Sequence, residues 1–398
     1  MISSPSVSTS RAADVGLFDQ TALSELAQRL VEAARRAGAD AADAVAVRGV
    51  SQGVEVRDGR VEESERSEGD DVGLRVLVGK RQAVISTNDI GGDNVAKLAE
   101  RAVAMARVAP DDDYVGLADP ALLAREFPDL DLLDPAMPST AELERRALEA
   151  EAAGIAVKGV TKSGGASAST GIGGMVLVTS TGFHGAYLRS SQGISMMAIV
   201  GEGTGMERDY DFSSALHAAD LESPASIGRR AGERAVARAN PRKAETCKAP
   251  VIFDPRVAGS LVGHLVGAAN GASIARKTSF LKDKLGQQLF ANGIRIIDDP
   301  RRVRGLRSQT FDAEGVATKR LAIIDDGVLT SWLLDSATAR ELGMTTTGHA
   351  HRGVSSSPMP GAYNLHMEAG ELTPDELMAD IKQGFYVTDL IGSGVNGV

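Results

Sequence analysis

Apolar residues recur at helical spacing over residues 21–37, where Leu23, Leu26, Leu30 and Ala34 form one stripe and Gly38 follows Arg35 and Arg36 as a stop. The period then changes to two. Residues 44–57 and 60–68 read as strands joined by Asp58-Gly59, a strong two-residue hairpin signal, and 72–78 with 82–87 read as a further pair. A second amphipathic helix is predicted over 93–107, with Val95, Leu98, Ala102 and Met105 on one face. The stretch 110–138 is rich in Asp and Pro and reads as a linker. Ser139 and Glu142 make a capping box that opens a helix to about residue 153. Strands are predicted at 154–160, 175–180, 183–191 and 195–201, with a flexible Gly/Ser loop at 163–169, then a helix over 223–239 ended by Asn240-Pro241. The remainder predicts a helix over 255–270 with Val257, Leu261, Leu265 and Ala268 inward. Strands at 320–324 and 328–334 join through Asp325-Asp326-Gly327, and a capped helix opens at Thr373-Pro374.

This order of elements predicts a multi-domain α+β fold with largely antiparallel sheets. The expected units are a disordered leader (1–16), an N-terminal α+β domain (17–108), a linker (109–138), a central α+β domain (139–245) and a C-terminal domain (246–398). At 398 residues the chain is long enough for several cores. Its 53 acidic residues outnumber the 43 basic ones, so a nucleic-acid backbone would be repelled on average, and an aromatic content of 4% supplies few stacking platforms. The single Cys247 excludes an intrachain disulfide and fits a reducing compartment. The first residues have neither the basic nor the apolar region of a secretory signal, and no run approaches a membrane span, so a cytoplasmic location is expected.

The candidate chemistry is sparse. His349-Ala350-His351 is the one close histidine pair. In an extended segment both rings share a face and could meet one cation, with His264 or His366 as a third ligand; a hydrogen-bonded polar loop is the competing reading. His264, on an apolar helix face, reads as a packing residue. Glycine-rich 170–174 and 201–205 complete no nucleotide-binding motif. Residues Glu207, Arg208, Asp209 and Tyr210 follow a strand and read either as a salt-bridged strand end or as part of a binding wall.

Several blocks resemble the TldD/PmbA family of bacterial zinc peptidase subunits. They are the strand and Pro-started helix within 251–286, Phe311-Asp-Ala-Glu-Gly315, 320–329, 336–343, Thr347-Gly-His-Ala-His-Arg-Gly353 and Ile391-Gly-Ser-Gly-Val-Asn396, with looser matches at 57–60 and 73–76. Their ordered co-occurrence carries the resemblance. In the TldD branch the helix bears H-E-x-x-x-H, whose histidines bind zinc and whose Glu is general base. Here those positions fall near Val262, Gly263 and Gly267. The chain therefore resembles the PmbA (TldE) branch. That resemblance implies a subunit with no cofactor or metal ligands of its own, paired with a TldD-like chain that supplies zinc, in a heterodimer that encloses unfolded peptides for proteolysis. Glu207, Arg208, Tyr210, His349 and His351 are the candidate chamber residues. The interface is expected on apolar strand faces within 311–334, and a homodimer is conceivable when the chain is alone. The family pattern continues beyond residue 398, so a missing C-terminal segment is expected. The alternatives are an autonomous metallohydrolase using His349 and His351, and a purely structural homo-oligomer.

Overall fold

The computed structural model describes residues 19–89 and 94–391. The expected leader and most of the 391–396 block lie outside them. Six strands form one antiparallel sheet: β1 (Ala41–Arg57), β2 (Arg60–Val78), β3 (Arg81–Thr87), β4 (Val160–Thr179), β5 (His184–Val200) and β6 (Glu207–Ala215). Their order is β3-β2-β1-β4-β5-β6. The segments read as N-terminal and central units each supply three strands, and the two triplets meet through β1 and β4. Each triplet is bracketed by two helices: α1 (Thr21–Arg36) and α2 (Val95–Val108) around the first, α3 (Thr140–Ile155) and α4 (Pro224–Ala237) around the second. The same α-β-β-β-α unit thus occurs twice.

All four helices cover one face of the sheet. Leu23, Leu26 and Leu30 of α1 pack with Ala44, Ala46, Leu74, Val176 and Val178; Leu143 and Ile227 of α3 and α4 pack with Val54, Ala168, Ile194 and Met196. Gly228 is required for the close crossing of α3 and α4, because a Cβ there would stand 1.9 Å from the Ala150 carbonyl oxygen.

Local signals explain many boundaries. Asp58 and Gly59, both at positive φ, turn β1 into β2 with Arg57 opposite Arg60. Ser139 Oγ accepts from Glu142 N–H at the start of α3. The strands differ from these expectations in four places. β2 runs unbroken through the gap expected at 69–71, because its ladder to β1 supplies the hydrogen bonds although Gly69 and Asp71 are exposed there. The predicted loop 163–169 lies inside β4, paired with β5 and, from Ala166 onward, also with β1, and the expected strand at 154–160 is instead the end of α3 and a turn. β6 was not foreseen as a strand, since its inward positions are Asp209 and Asp211 rather than apolar residues. Arg238 and Arg256 pair with Asp209, and Arg230 and Arg234 with Asp211.

The C-terminal region contains β7 (Val251–Phe253), α5 (Pro255–Ala268), β8 (Ile296–Asp298), β9 (Leu321–Asp325) and β10 (Val328–Leu329). Strands β10-β9-β8 form a small sheet that ends on Leu365–Met367. Ile296, Ile323, Ile324, Leu329, Leu333 and Leu334 make its core. The strand faces expected to offer an interface within 311–334 are therefore buried inside this domain.

This region docks on one end of the large sheet, on the face opposite the helices. Phe311 meets Val45, Leu177 and Phe183 there, its ring 5.3 Å from that of Phe183. Asp43 lies beneath the contact. It accepts from Arg75 Nε at 2.8 Å and pairs with Arg352 across the domain boundary. Gly73 is needed at this seam, because a Cβ on it would lie 1.8 Å from the Val354 carbonyl oxygen.

Candidate functional site

Among the described residues no helix covers the rest of that sheet face. Strand alternation places Gly49, Ser51 and Gly53 of β1 on it, beside Ser67 and Gly69 of β2. From β4 come Ser167, Ser169, Gly171 and Gly173; from β5, Arg189, Ser191, Gly193 and Ser195. The floor is smooth because every one of these residues except Arg189 is Gly or Ser. Four of these glycines are not demanded by the fold. A Cβ on Gly53 or Gly69 meets nothing within 4 Å, and on Gly49 or Gly173 its nearest atoms lie at ordinary contact distances of 3.6 and 3.8 Å. None of the four has positive φ. Gly inside a strand weakens it, and a strand that keeps Gly without a steric reason marks a place where another backbone or ligand approaches closely.

Two depressions follow this face. One, of about 650 Å³, runs over Gly49, Gly69 and Gly173 toward Tyr187, Arg189 and Arg352. The other, of about 240 Å³, lies between Glu55, Arg57, Ser167, Ser195, Met197 and Tyr210.

The candidate residues on β6 divide between the two faces. Tyr210 stands opposite Met197 and shares the open face with Arg208 and Phe212, whereas Glu207 alternates to the helix side. Tyr210 and Phe212 are 45% and 53% exposed and stack with centroids 6.3 Å apart, and the Arg256 guanidinium lies 5.7 Å from the Tyr210 ring. β6 pairs with β5 alone, so among the described residues its outer edge is unpaired. An unpaired edge beside exposed aromatic rings suits the addition of an extended peptide strand.

His349 and His351 lie elsewhere, in the interior of the C-terminal domain. Both pack on the Tyr363 ring, at 5.4 and 4.4 Å between centroids. His349 is fully buried, with Nδ1 2.9 Å from the Thr347 carbonyl oxygen and Nε2 3.2 Å from Asp298 Oδ2. Burial, helped by Arg307 and His349, pushes His351 down to about 4, so it is neutral at pH 7.

Sequence reasoning did not single out the acids beside them. Asp312 Oδ1 accepts from the backbone N–H groups of Glu314 and Val316, each at 2.9 Å, and Oδ2 accepts from Ala350 N–H. Burial and the neighbouring Glu314 raise Asp312 well above the usual carboxylate range; burial also raises Glu314, against the pull of Arg75. These groups fasten the 311–316 turn to the His349–His351 segment.

On α5, Asp254 caps the first turn and Val257, Val266 and Ala268 face the core. Leu261, expected inward, is 41% exposed, and Gly259, Gly263 and Gly267 are exposed as well, so this helix buries little of its surface. His264 is half-buried and its Nε2 has no partner. Val262, Gly263 and Gly267 offer no donor. Among the described residues no group of three or more His, Cys, Asp or Glu is placed to hold a metal ion. The donor set on this helix does not fit the zinc that a peptidase of this type would carry.

Other surfaces are relevant to partners. Leu261, Phe280, Leu372, Leu377, Phe385 and Tyr386 of the C-terminal region are exposed. No helix among the described residues is long and apolar enough to cross a membrane.

Comparison with known proteins agrees with this architecture. Residues 42–106 match the model of PmbA/TldA metallopeptidase domain 1, residues 133–239 that of the central domain, and residues 246–398 that of the C-terminal domain. The chain is 37% identical over 346 residues to "Metalloprotease PmbA" of Escherichia coli O157:H7, covering 87% of this chain and 75% of that protein. It is 34% identical over 371 residues to the "Metalloprotease PmbA homolog" of Haemophilus influenzae, covering 92% and 79%. The crystal structure of TldE from Thermococcus kodakarensis superposes with a TM-score of 0.80 at 19% identity over 92% of this chain and 83% of that one, which reports a shared fold. With an α+β fold, antiparallel sheets and domain matches along most of its length, the chain belongs to the PmbA/TldD metallopeptidase family, on its PmbA-like side.

Proposed function

We propose that this chain is the metal-free wall of a two-chain peptide-processing chamber. It supports extended, unfolded peptide on the open sheet face, and a TldD-like chain supplies zinc and the general base. The observation that carries this reading is the group of four open-face glycines, at positions where the fold would accept a side chain. A peptide main chain can lie close to such a floor and add along the β6 edge, with little demand on its sequence. The lack of donors at Val262, Gly263 and Gly267 supports assigning the hydrolytic chemistry to the other chain. The exposed apolar residues of the C-terminal region, from Leu261 to Tyr386, give that chain a surface to bury.

The alternative, a metallohydrolase built on His349 and His351, has less support, because both rings are enclosed and packed on Tyr363. The test is size-exclusion chromatography of this chain with a TldD-like chain, followed by metal analysis of each component. One complex is expected, with zinc carried by the TldD-like chain. Stoichiometric zinc on this chain alone, lost when His349 and His351 are both replaced by Ala, would overturn the proposal in favour of the alternative.

A further inference from the structure

The open-face glycines are not scattered. Gly69 of β2 stands opposite Gly49 of β1, Gly49 opposite Gly173 of β4, and Gly173 opposite Arg189 of β5. Three glycines therefore line up across three strands and lead to one guanidinium. Adjacent strands are about 4.8 Å apart, so this trench is roughly 14 Å long, the span of about four extended residues.

Arg189 is poorly supplied with partners for a group so enclosed. Its Nη2 donates to the Ser308 carbonyl oxygen, its guanidinium lies 5.6 Å from the Tyr187 ring, and its Nε is sealed from water with no acceptor. Among the described residues it makes no ion pair with a carboxylate. Burial lowers its proton affinity, and the nearby positive charge of Arg307 adds to that effect. Arg352 borders the same depression. Its side chain is fully buried and pairs with Asp43, yet its Nε and Nη2 also lack acceptors. A half-buried guanidinium without a counterion is unfavourable, and a planar carboxylate is the group its fork fits best. At the β2 end of the trench the exposed Asp71 carries the opposite charge, so the trench has a direction.

We infer that Arg189 binds a peptide carboxylate at the closed end of the glycine trench, with about four extended residues lying over Gly173, Gly49 and Gly69. This rests on the peptide-chamber reading and adds to it a substrate feature and an orientation. The carboxylate is either the C-terminus or an acidic side chain.

The test uses the full chain and three peptides labelled at the N-terminus, with binding followed by fluorescence anisotropy. They are a neutral Gly/Ser/Ala pentapeptide as the free acid, the same peptide as the C-terminal amide, and an amide carrying one Glu. The free acid should bind at least 10-fold more tightly than the neutral amide. Arg189→Gln should abolish that difference, and Arg189→Lys should restore part of it, with unchanged melting temperatures showing that the variants fold. If the Glu amide binds like the free acid, the site takes side-chain carboxylates too; if it binds like the neutral amide, it selects the terminus. Equal binding of free acid and neutral amide to the unmodified chain would overturn the inference while leaving the peptide reading intact. Absence of binding by all three would overturn both.

Discussion

Replacing Gly69 and Gly173 together by Val separates what the fold needs from what the function needs. A Cβ at Gly69 meets nothing within 4 Å, and at Gly173 the nearest atom, the Arg48 carbonyl oxygen, lies 3.8 Å away. Gly in a strand costs roughly 0.5–1 kcal/mol relative to Ala, and Val suits a strand better still. The two sites are two strands apart, so their effects should be close to additive. The double variant should therefore be about 1–2 kcal/mol more stable, seen as a higher urea midpoint with an unchanged slope. The same isopropyl groups would stand in the trench and hold a peptide backbone away from its floor. Peptide binding, and cleavage by the complex with a TldD-like chain, should fall at least 10-fold. A loss of stability exceeding about 1 kcal/mol would show that the fold requires these glycines, and unchanged cleavage would show that the trench is not used.

Lowering the pH should destabilise the fold through His351. Its pKa is about 6.5 unfolded and about 4 folded, so its contribution is complete above pH 6.5 and is lost as pH falls toward 4, with about 2 kcal/mol gone by pH 5. Urea midpoints of the unmodified chain and His351→Gln should converge between pH 7 and pH 5; a constant gap would contradict this. Asp43→Ala strands the buried guanidiniums of Arg75 and Arg352 and should cost about 3–5 kcal/mol, measured by denaturant unfolding. A loss below about 1 kcal/mol would mean that water or relaxation compensates the pair. Gly73→Ala forces a Cβ against the Val354 carbonyl and should cost about 1–3 kcal/mol while loosening the contact between the sheet and the C-terminal region, detectable as faster proteolysis of the 347–356 segment.

Where burial and local chemistry agree, the sequence is easy to read. The α1 stripe, the Asp58-Gly59 hairpin and the Ser139 cap all appear where the pattern places them. Elsewhere the pattern misleads for identifiable reasons. β4 carries Ser and Gly on its open face, so residues 163–169 resemble a loop although their backbone is paired with β5 and, from Ala166 onward, also with β1. β6 turns acids inward toward arginines of α4 and α5, which reverses the usual hydrophobic alternation. Tyr210 and Arg208 could be picked out as candidate wall residues because they follow a strand with mixed charge. The glycine row could not, since it exists only once the registers of β2, β1 and β4 are known. Its one signal in the sequence is Gly or Ser at every second position in 49–53, 167–173 and 191–195. Arg352 was equally hidden, because its carboxylate partner Asp43 is 309 residues away.

In the proposed function this chain forms a chamber wall and depends on another chain for catalysis. The most direct test is the rate at which an unfolded peptide is cleaved by this chain alone, by a TldD-like chain alone and by their mixture, each with and without a metal chelator. Cleavage by the mixture, abolished by chelator, is expected, and none by this chain alone. Chelator-sensitive cleavage by this chain alone, or a TldD-like chain that works as fast without it, would contradict the proposed division of labour.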